Sequence, residues 1–449
     1  MMYDSLIING TIVCAEGMFD ADIAIKDGKI CAVGMELADH AKNTIDASGK
    51  LIFPGAVDAH FHIGEYDADF EDMRTSTMAA AAGGVTTGID MPLNLYSPSV
   101  LTKEALQLKD RQLNEESYID YVMWGGLTPF SIRNLKEMHD AGAVSFKCFM
   151  SGGGNDFAAP TVGEIRHAMQ IIASFDGLAG FHCEDFSIID YERKKVRTLK
   201  LDGRQAFLNS RPLAAELIAT QTIIELSKET GCRVHICHVS DPKVAKLIEQ
   251  AQVDGVDITA ETCPHYLTFC KEDYLEKGCE YGCAPPMKSA DSREGLWEYI
   301  KKGVLSCIAS DHSPGLPENR SDVGRATYET GFGISGVQTM FQVTYDQGVN
   351  KRNLDPCLIA AALCTNPAKR WGLYGRKGDI KPGFDADLVI LDPEKAWEID
   401  QNHLYYKVKL TAFHGLSGKG AVCSTLIRGQ EVYRNGEILI DHGYGKRVL

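Results

Sequence analysis

The chain has 449 residues, 44% hydrophobic and 24% charged, the balance of an ordinary water-soluble globular protein large enough for one big domain with an appendage. Its formal net charge of -15, from 46 Lys and Arg against 61 Asp and Glu, excludes an electrostatic grip on nucleic acid or anionic lipid and leaves a small molecule as the expected partner. No apolar run approaches the roughly 18 residues of a membrane-spanning helix, no signal-peptide pattern opens the chain, and the 14 scattered cysteines read as reduced thiols of a cytoplasmic protein.

In chain order, the first fifty residues read as short strands and tight turns, with Asn9-Gly10 and Asp27-Gly28 as hairpin signals. The C-terminal end has the same texture, in "ADLVILDP" from Ala386, "STLIRGQEVYRNGEIL" from Ser424, and a further Asn-Gly pair at Asn435-Gly436. The two ends, residues 1–52 and 380–449, are expected to form one small β-sandwich domain. Between them, apolar runs ("VTTGIDM", "AVSFKCF", "LAGFH", "RVHICHV", "DITAETC", "LSCIASDH") alternate with segments of helical spacing such as Leu213 to Glu229. Strand then helix, many times over, predicts an α/β fold with a parallel sheet. Residues 53–379 fit a (β/α)8 TIM-like barrel better than a doubly wound sheet. No dinucleotide fingerprint or phosphate-binding loop is present, since the glycines at Gly152 to Gly154 lack a following lysine.

The strongest chemical signal is "VDAHFH", where Asp58, His60 and His62 alternate along a strand and so are expected on one face, with Ala59 and Phe61 on the other. Alone, such a pair is as well explained by an edge strand. Three further positions close later apolar runs: His182 in "LAGFHCED", His238 in "RVHICHVS" and Asp311 in "CIASDHSP". In a barrel such strand ends meet at the C-terminal mouth. Four imidazoles and one carboxylate are too few for two divalent ions, and Lys147, inside the apolar run "AVSFKCFM", can supply the missing anion. A buried amine that loses its proton adds CO2 to form a carbamate, and the alternative is a lysine paired with a buried carboxylate. Cys148, Cys183 and Cys237 each neighbour one of these residues and are expected to point to the opposite face, packing outward. His265 and His312 are read as supporting residues.

The motifs "PGAVDAHFH", "AAAAGGVTTGIDMPLN", "GAVSFKCFM", "HCED", "NSRP", "CHVS", "ETCPHY", "CAPPMK", "ASDHSP" and "TNPAKRWGL", followed by "GDIKPGFDADLVILD", run the length of the chain. In this order the sequence resembles the cyclic amidohydrolases, the family of allantoinases, dihydropyrimidinases or hydantoinases, and dihydroorotases. The resemblance implies two zinc ions, with cobalt or manganese also suited. His60, His62 and Asp311 would hold one ion and His182 and His238 the other, with N6-carboxylated Lys147 between them. It further implies a metal-bridged hydroxide attacking a ring amide, Asp311 as the catalytic proton carrier, and a homotetramer.

Single positions bear on which ring is opened. Dihydropyrimidinases and hydantoinases carry a tyrosine at the position of Gly152, which this chain lacks, and its "KCF" and "MPLN" segments look like those of allantoinases. The arginine by which dihydroorotases hold a substrate carboxylate is replaced by Ile63, Gly64 and Glu65. Allantoin, hydrolysed to allantoate in purine degradation, is therefore the expected substrate, and 5-substituted hydantoins or dihydropyrimidines are the alternative. Asn94, Gly152, Ala284 and Gly333 are the expected substrate contacts, although relatives often have serine at the position of Ala284. A non-catalytic scaffold, known among relatives that have lost ligands, is the remote alternative; here all six positions are kept.

Overall fold

Eight short runs of β-forming residues, buried on both faces along nearly their whole length, pair side by side in parallel, as strands with helices outside and side chains within must be. In the computed structural model, which describes residues 2–37, 41–64, 71–93, 98–154, 156–201, 203–320 and 331–449, they are β1 (Ala56–Phe61), β2 (Val85–Asp90), β3 (Asp120–Leu127), β4 (Ala143–Phe149), β5 (Leu178–His182), β6 (Arg233–Ile236), β7 (Ile258–Thr262) and β8 (Cys307–Ile308). They follow one another in sequence order around one sheet. A parallel bridge between Phe61 and His312 closes the ring from β8 back to β1. The fold is the expected TIM-like barrel. Strand β3 was not among the runs singled out from sequence, because its two glycines and tryptophan dilute the apolar signal.

Helices fill the crossovers, and their ends carry the usual signals. Val162–Ala173 starts with a reciprocal capping box between Thr161 and Glu164, and the expected Leu213 helix runs Leu213–Thr230 and stops at left-handed Gly231. The barrel floor is plugged by Trp124 and Trp371, whose rings lie 5.7 Å apart edge to face. Trp371 Nε1 donates to Ser145 Oγ at 3.1 Å. Gly180 on β5 is glycine for this reason, since a Cβ there would stand 2.4 Å from the Trp124 ring.

The two ends of the chain interleave, as expected. Strands Leu51–Pro54, Thr11–Cys14 and Gly17–Asp20 join Leu388–Glu398, Ser417–Ile427, Gln430–Arg434 and Glu437–Ile438 in a seven-stranded sheet. A four-stranded sheet from Tyr3–Ile8, Asp22–Lys26, Lys29–Gly34 and Ala41–Asp46 lies against it. Ile7, Ile23, Ile25, Ile52, Leu388 and Leu426 form the shared core. Asp27-Gly28 and Asn435-Gly436 are two-residue hairpin turns with both residues at positive φ. Asn9-Gly10 is not a hairpin. Tyr3–Ile8 and Thr11–Cys14 belong to different sheets, and the chain crosses between them with Asn9 tied to Asp22 and Asp46. Local turn chemistry is overridden because both flanking strands bury isoleucines in the same core.

A buried charge network fixes this sandwich to the barrel floor. Lys377 Nζ lies 2.6 Å from both Asp120 Oδ2 at the start of β3 and Asp387 Oδ2, and 3.2 Å from Asp385. Arg428 also pairs with Asp120. Among the described residues no helix is long and apolar enough to cross a membrane.

Two stability predictions follow from these buried charges. Lys377→Met leaves Asp120 and Asp387 without their shared cation and is expected to cost about 3–5 kcal/mol, read as a lower urea midpoint; a change below about 1 kcal/mol would refute the anchoring role. Glu216, buried and accepting from Ser240 N and Oγ, is pushed by burial from 4.5 up to about 7. An acid whose folded-state pKa is raised stabilises the fold only while protonated, so this contribution falls as pH rises from 4.5 to about 7. Glu216→Gln is expected to gain stability relative to the parent between about pH 5 and about pH 8; a parent-minus-variant difference that stays flat across that range overturns the assignment.

Candidate functional site

At the C-terminal mouth of the barrel the side chains of five different strand ends converge. His60 Nε2 and His62 Nε2 lie 3.3 and 3.5 Å from Asp311 Oδ1. Lys147 Nζ is 3.5 Å from His60 Nε2 and 4.8 Å above the Phe149 ring. His182 Nδ1 and His238 Nε2 face each other at 3.1 Å. Ligand atoms of His60, His238 and Asp311 all fall within 4.8 Å of one another, a spacing one metal ion can span. His238 and Asp311 both sit at positive φ, 37° and 45°, where the chain turns out of β6 and β8 and carries each side chain back over the mouth. Non-glycine residues are rare in that region and cluster at functional sites.

Carboxylates beneath the mouth decide which imidazole nitrogen is available. Glu261, fully buried on β7, contacts His60 Nδ1 at 2.5 Å and His235 Nε2 at 3.1 Å. The Nε2 lone pair of His60 is thereby left to the cavity. Glu184 does the same for His182, taking Nε2 at 2.7 Å and pairing with buried Arg211, so that Nδ1 faces His238. Burial, helped by the charge of Lys147, pushes His60 down to about 4. Burial also holds His182 below and His238 well below the ordinary histidine value. Neutral imidazoles with their second nitrogen bound to a carboxylate are the form that ligates metals, and this donor set fits divalent cations. Asp90 adds a further brace, accepting from Ile63 N at 3.1 Å just after His62.

Lys147 is fully buried, and among the described residues no carboxylate stands within ion-pair distance of it, so the salt-bridged alternative has no partner here. Asp311, with 13% of its side chain exposed, is more open to the cavity than His60 or His62.

Two sequence expectations need correction. Strict alternation in β1 fails, because the register shifts between Asp58 and Phe61. Asp58 is drawn to Ser310, accepting from its backbone N at 2.9 Å and from its hydroxyl. Ala59 packs with Trp124 and Trp371 rather than with Phe61. Cys237 also does not pack outward: His235 points inward to Glu261, and Cys237, two residues on, shares that face near His60 and Glu261. Burial pushes its thiol up to about 12, which keeps it protonated at neutral pH. Cys148 and Cys183 lie in the apolar layer that includes Ile165 and Met169 of the helices.

A cavity of about 390 Å³ opens above these groups, lined among others by His60, His62, His182, His238, Asp311, Gly152, Ala284 and Gly333. Asn94 lies outside the described residues. Gly152 has φ +77°, which favours glycine. At Gly333, φ +124°, a Cβ would stand 2.6 Å from Ser313 Oγ. The Gly333 N–H is taken by Gly282 O at 2.9 Å, and among the described residues no donor is bonded to its carbonyl. His265 lies beside Asp311, and His312 Nδ1 accepts from Gly336 N and Val337 N. Glu261, Glu184, Arg211 and the cavity-lining Arg193 and Phe332 were not read from sequence as site residues. "HCED" and "NSRP" carried Glu184 and Arg211 as motif letters, without a role until tertiary packing supplied partners.

The family model described as "Amidohydrolase family" matches residues 51–432. The chain is 37% identical over 443 residues to an allantoinase of Bacillus licheniformis, covering 96% of each protein, and 34% identical to an allantoinase of Salmonella newport, covering 99% of this chain and 97% of the relative. Among solved structures, an L-hydantoinase (dihydropyrimidinase) from Arthrobacter aurescens superposes with a TM-score of 0.96 at 34% identity, covering all of both chains. The histidine-lined mouth of the barrel and these full-length likenesses agree: the chain belongs to the amidohydrolase family, as a hydrolase of cyclic amide C–N bonds.

Proposed function

We propose that this chain hydrolyses the hydantoin ring of allantoin to allantoate, in purine (ureide) degradation. The observation that carries the reading is the convergence of His60, His62, His182, His238 and Asp311 on one cavity, with buried Lys147 beside His60, in a chain that matches allantoinases along nearly its whole length. His60, His62 and Asp311 would hold one zinc ion and His182 and His238 a second, with Lys147 as the carbamate between them. The lack of a carboxylate within ion-pair distance of the buried Lys147 amine, among the described residues, supports that modification, which exchanges a costly cation for a useful anion. Cobalt or manganese suits the same donors. When bound, such ions polarise a carbonyl and make hydroxide available at neutral pH.

The chain's own residues do the rest. Asp311, open to the cavity, accepts the proton released as water adds to the ring carbonyl and passes it to the leaving ring nitrogen, so the C–N bond breaks to a carboxylate and a protonated amide nitrogen. The backbone around Gly152, Ala284 and Gly333 shapes the wall against the ring, with Asn94 as a further contact. Glu261 and Glu184 hold the imidazoles so that this geometry is preset. The 14 free thiols suit a reducing cytoplasm, and the family resemblance supports a homotetramer.

The L-hydantoinase likeness favours a second reading, a hydantoinase acting on 5-substituted hydantoins or dihydropyrimidines. Purified protein offered allantoin, 5-substituted hydantoins and dihydrouracil is expected to turn over allantoin fastest; a faster rate on either of the others reverses the order of the two readings. Asp311→Asn is expected to lower kcat roughly 100- to 10,000-fold. Lys147→Ala is expected to lose bound metal together with activity, and a short carboxylic acid added to the buffer to restore part of both. Intact mass should show one added CO2 on the parent and none on the variant, and an unmodified, fully active parent refutes the carbamate.

A further inference from the structure

Arg193, on the helix Phe186–Thr198, lines the same cavity as the converged histidines and Asp311. It differs from the basic residues around it. Arg211 is paired with Glu184 and stacked 4.9 Å from the Phe332 ring, Lys194 is paired with Asp190, and Lys195 with Glu192. Among the described residues no hydrogen bond or ion pair reaches the Arg193 guanidinium, although the residue is half-buried. Burial and the neighbouring charge of Arg211 lower it to about 10, so it stays protonated at neutral pH. A cation held partly out of water with no acceptor is a cost that a ligand oxygen offsets.

The substrate reading above limits what that oxygen can be, and this inference rests on that reading. The carbonyl under attack lies with Asp311 and the histidines, and the carboxylate formed there stays with them. Two strong acceptors are left: the second ring carbonyl, which stays with the ring against the wall around Gly152, Ala284 and Gly333 and is shared by unsubstituted hydantoin, and the carbonyl of the ureido arm, which projects beyond the ring. We propose that Arg193 is the specificity-determining residue of this site, its guanidinium donating to the carbonyl oxygen of the substrate's ureido arm. A planar fork of donors suits a urea carbonyl better than a point charge does. The contact forms no bond in the reaction and acts through binding, which selects ureido-substituted hydantoins over the bare ring.

The test compares allantoin with unsubstituted hydantoin on the metal-loaded parent, Arg193→Met and Arg193→Lys. For Arg193→Met, kcat/KM on allantoin is expected to fall roughly 10- to 100-fold, mostly through KM, against less than about threefold on hydantoin, with metal content equal to the parent's. Arg193→Lys, which keeps the charge, should recover part of the allantoin loss, and no recovery at all counts against a donor role. Equal losses on both substrates, or an allantoin rate that does not change, overturn the assignment while leaving the substrate reading intact. A parent that opens hydantoin but not allantoin overturns the substrate reading itself.

Discussion

Glu261 is the point on which the barrel mouth is organised. Fully buried on β7, it binds His60 Nδ1 and His235 Nε2 together, and its Oε1 also accepts from His238 N at 3.3 Å. Burial raises the carboxyl, but the two histidines outweigh it and hold the group ionised. One anion in the barrel interior therefore sets the tautomer of a strand β1 imidazole and the backbone turn of His238. Without it, a low-dielectric interior would leave several polar groups unsatisfied, a large penalty.

The same logic recurs at the second half of the site, where Glu184 faces His182 on one side and Arg211 on the other. Burial alone would keep such a carboxyl protonated; Arg211 and His182 hold it down at about 2. The imidazoles stay neutral and oriented while the charge sits behind them. Preset lone pairs are what metal binding favours, because reorienting ligands during binding would cost entropy and loosen the geometry.

Barrel and sandwich are coupled through a different set of charges at the opposite end. Lys377 and Arg428, from the segment that returns after the barrel, meet Asp120 at the start of β3. Lys446 N near the C-terminus donates to the same carboxylate at 2.9 Å. The C-terminal part of the chain is thereby held against the barrel floor, remote from the mouth, so the cavity is shaped by the strand ends and by the loops around Gly152 and Gly333.

The sequence alone determined the periodicity of the fold and the identity of the side chains that converge at its mouth. Strand-length apolar runs alternating with helices specify a parallel barrel, and "VDAHFH", "FKCF", "LAGFH", "CHVS" and "ASDH" place polar residues at strand ends that such a barrel must bring together. Two of the three turn pairs, Asp27-Gly28 and Asn435-Gly436, acted as local chemistry dictates. Tertiary structure decided what depends on neighbours distant in sequence. Asn9-Gly10 became a crossing between sheets because a shared isoleucine core outweighs a turn preference. Cys237 turned inward because His235 is held by Glu261, and Asp58 left its alternating register for Ser310. Arg193 gained its place in the cavity only when its helix packed beside the mouth. Period and residue type are properties of a segment, whereas pairing, protonation state and exposure are properties of the surroundings that the folded chain alone supplies.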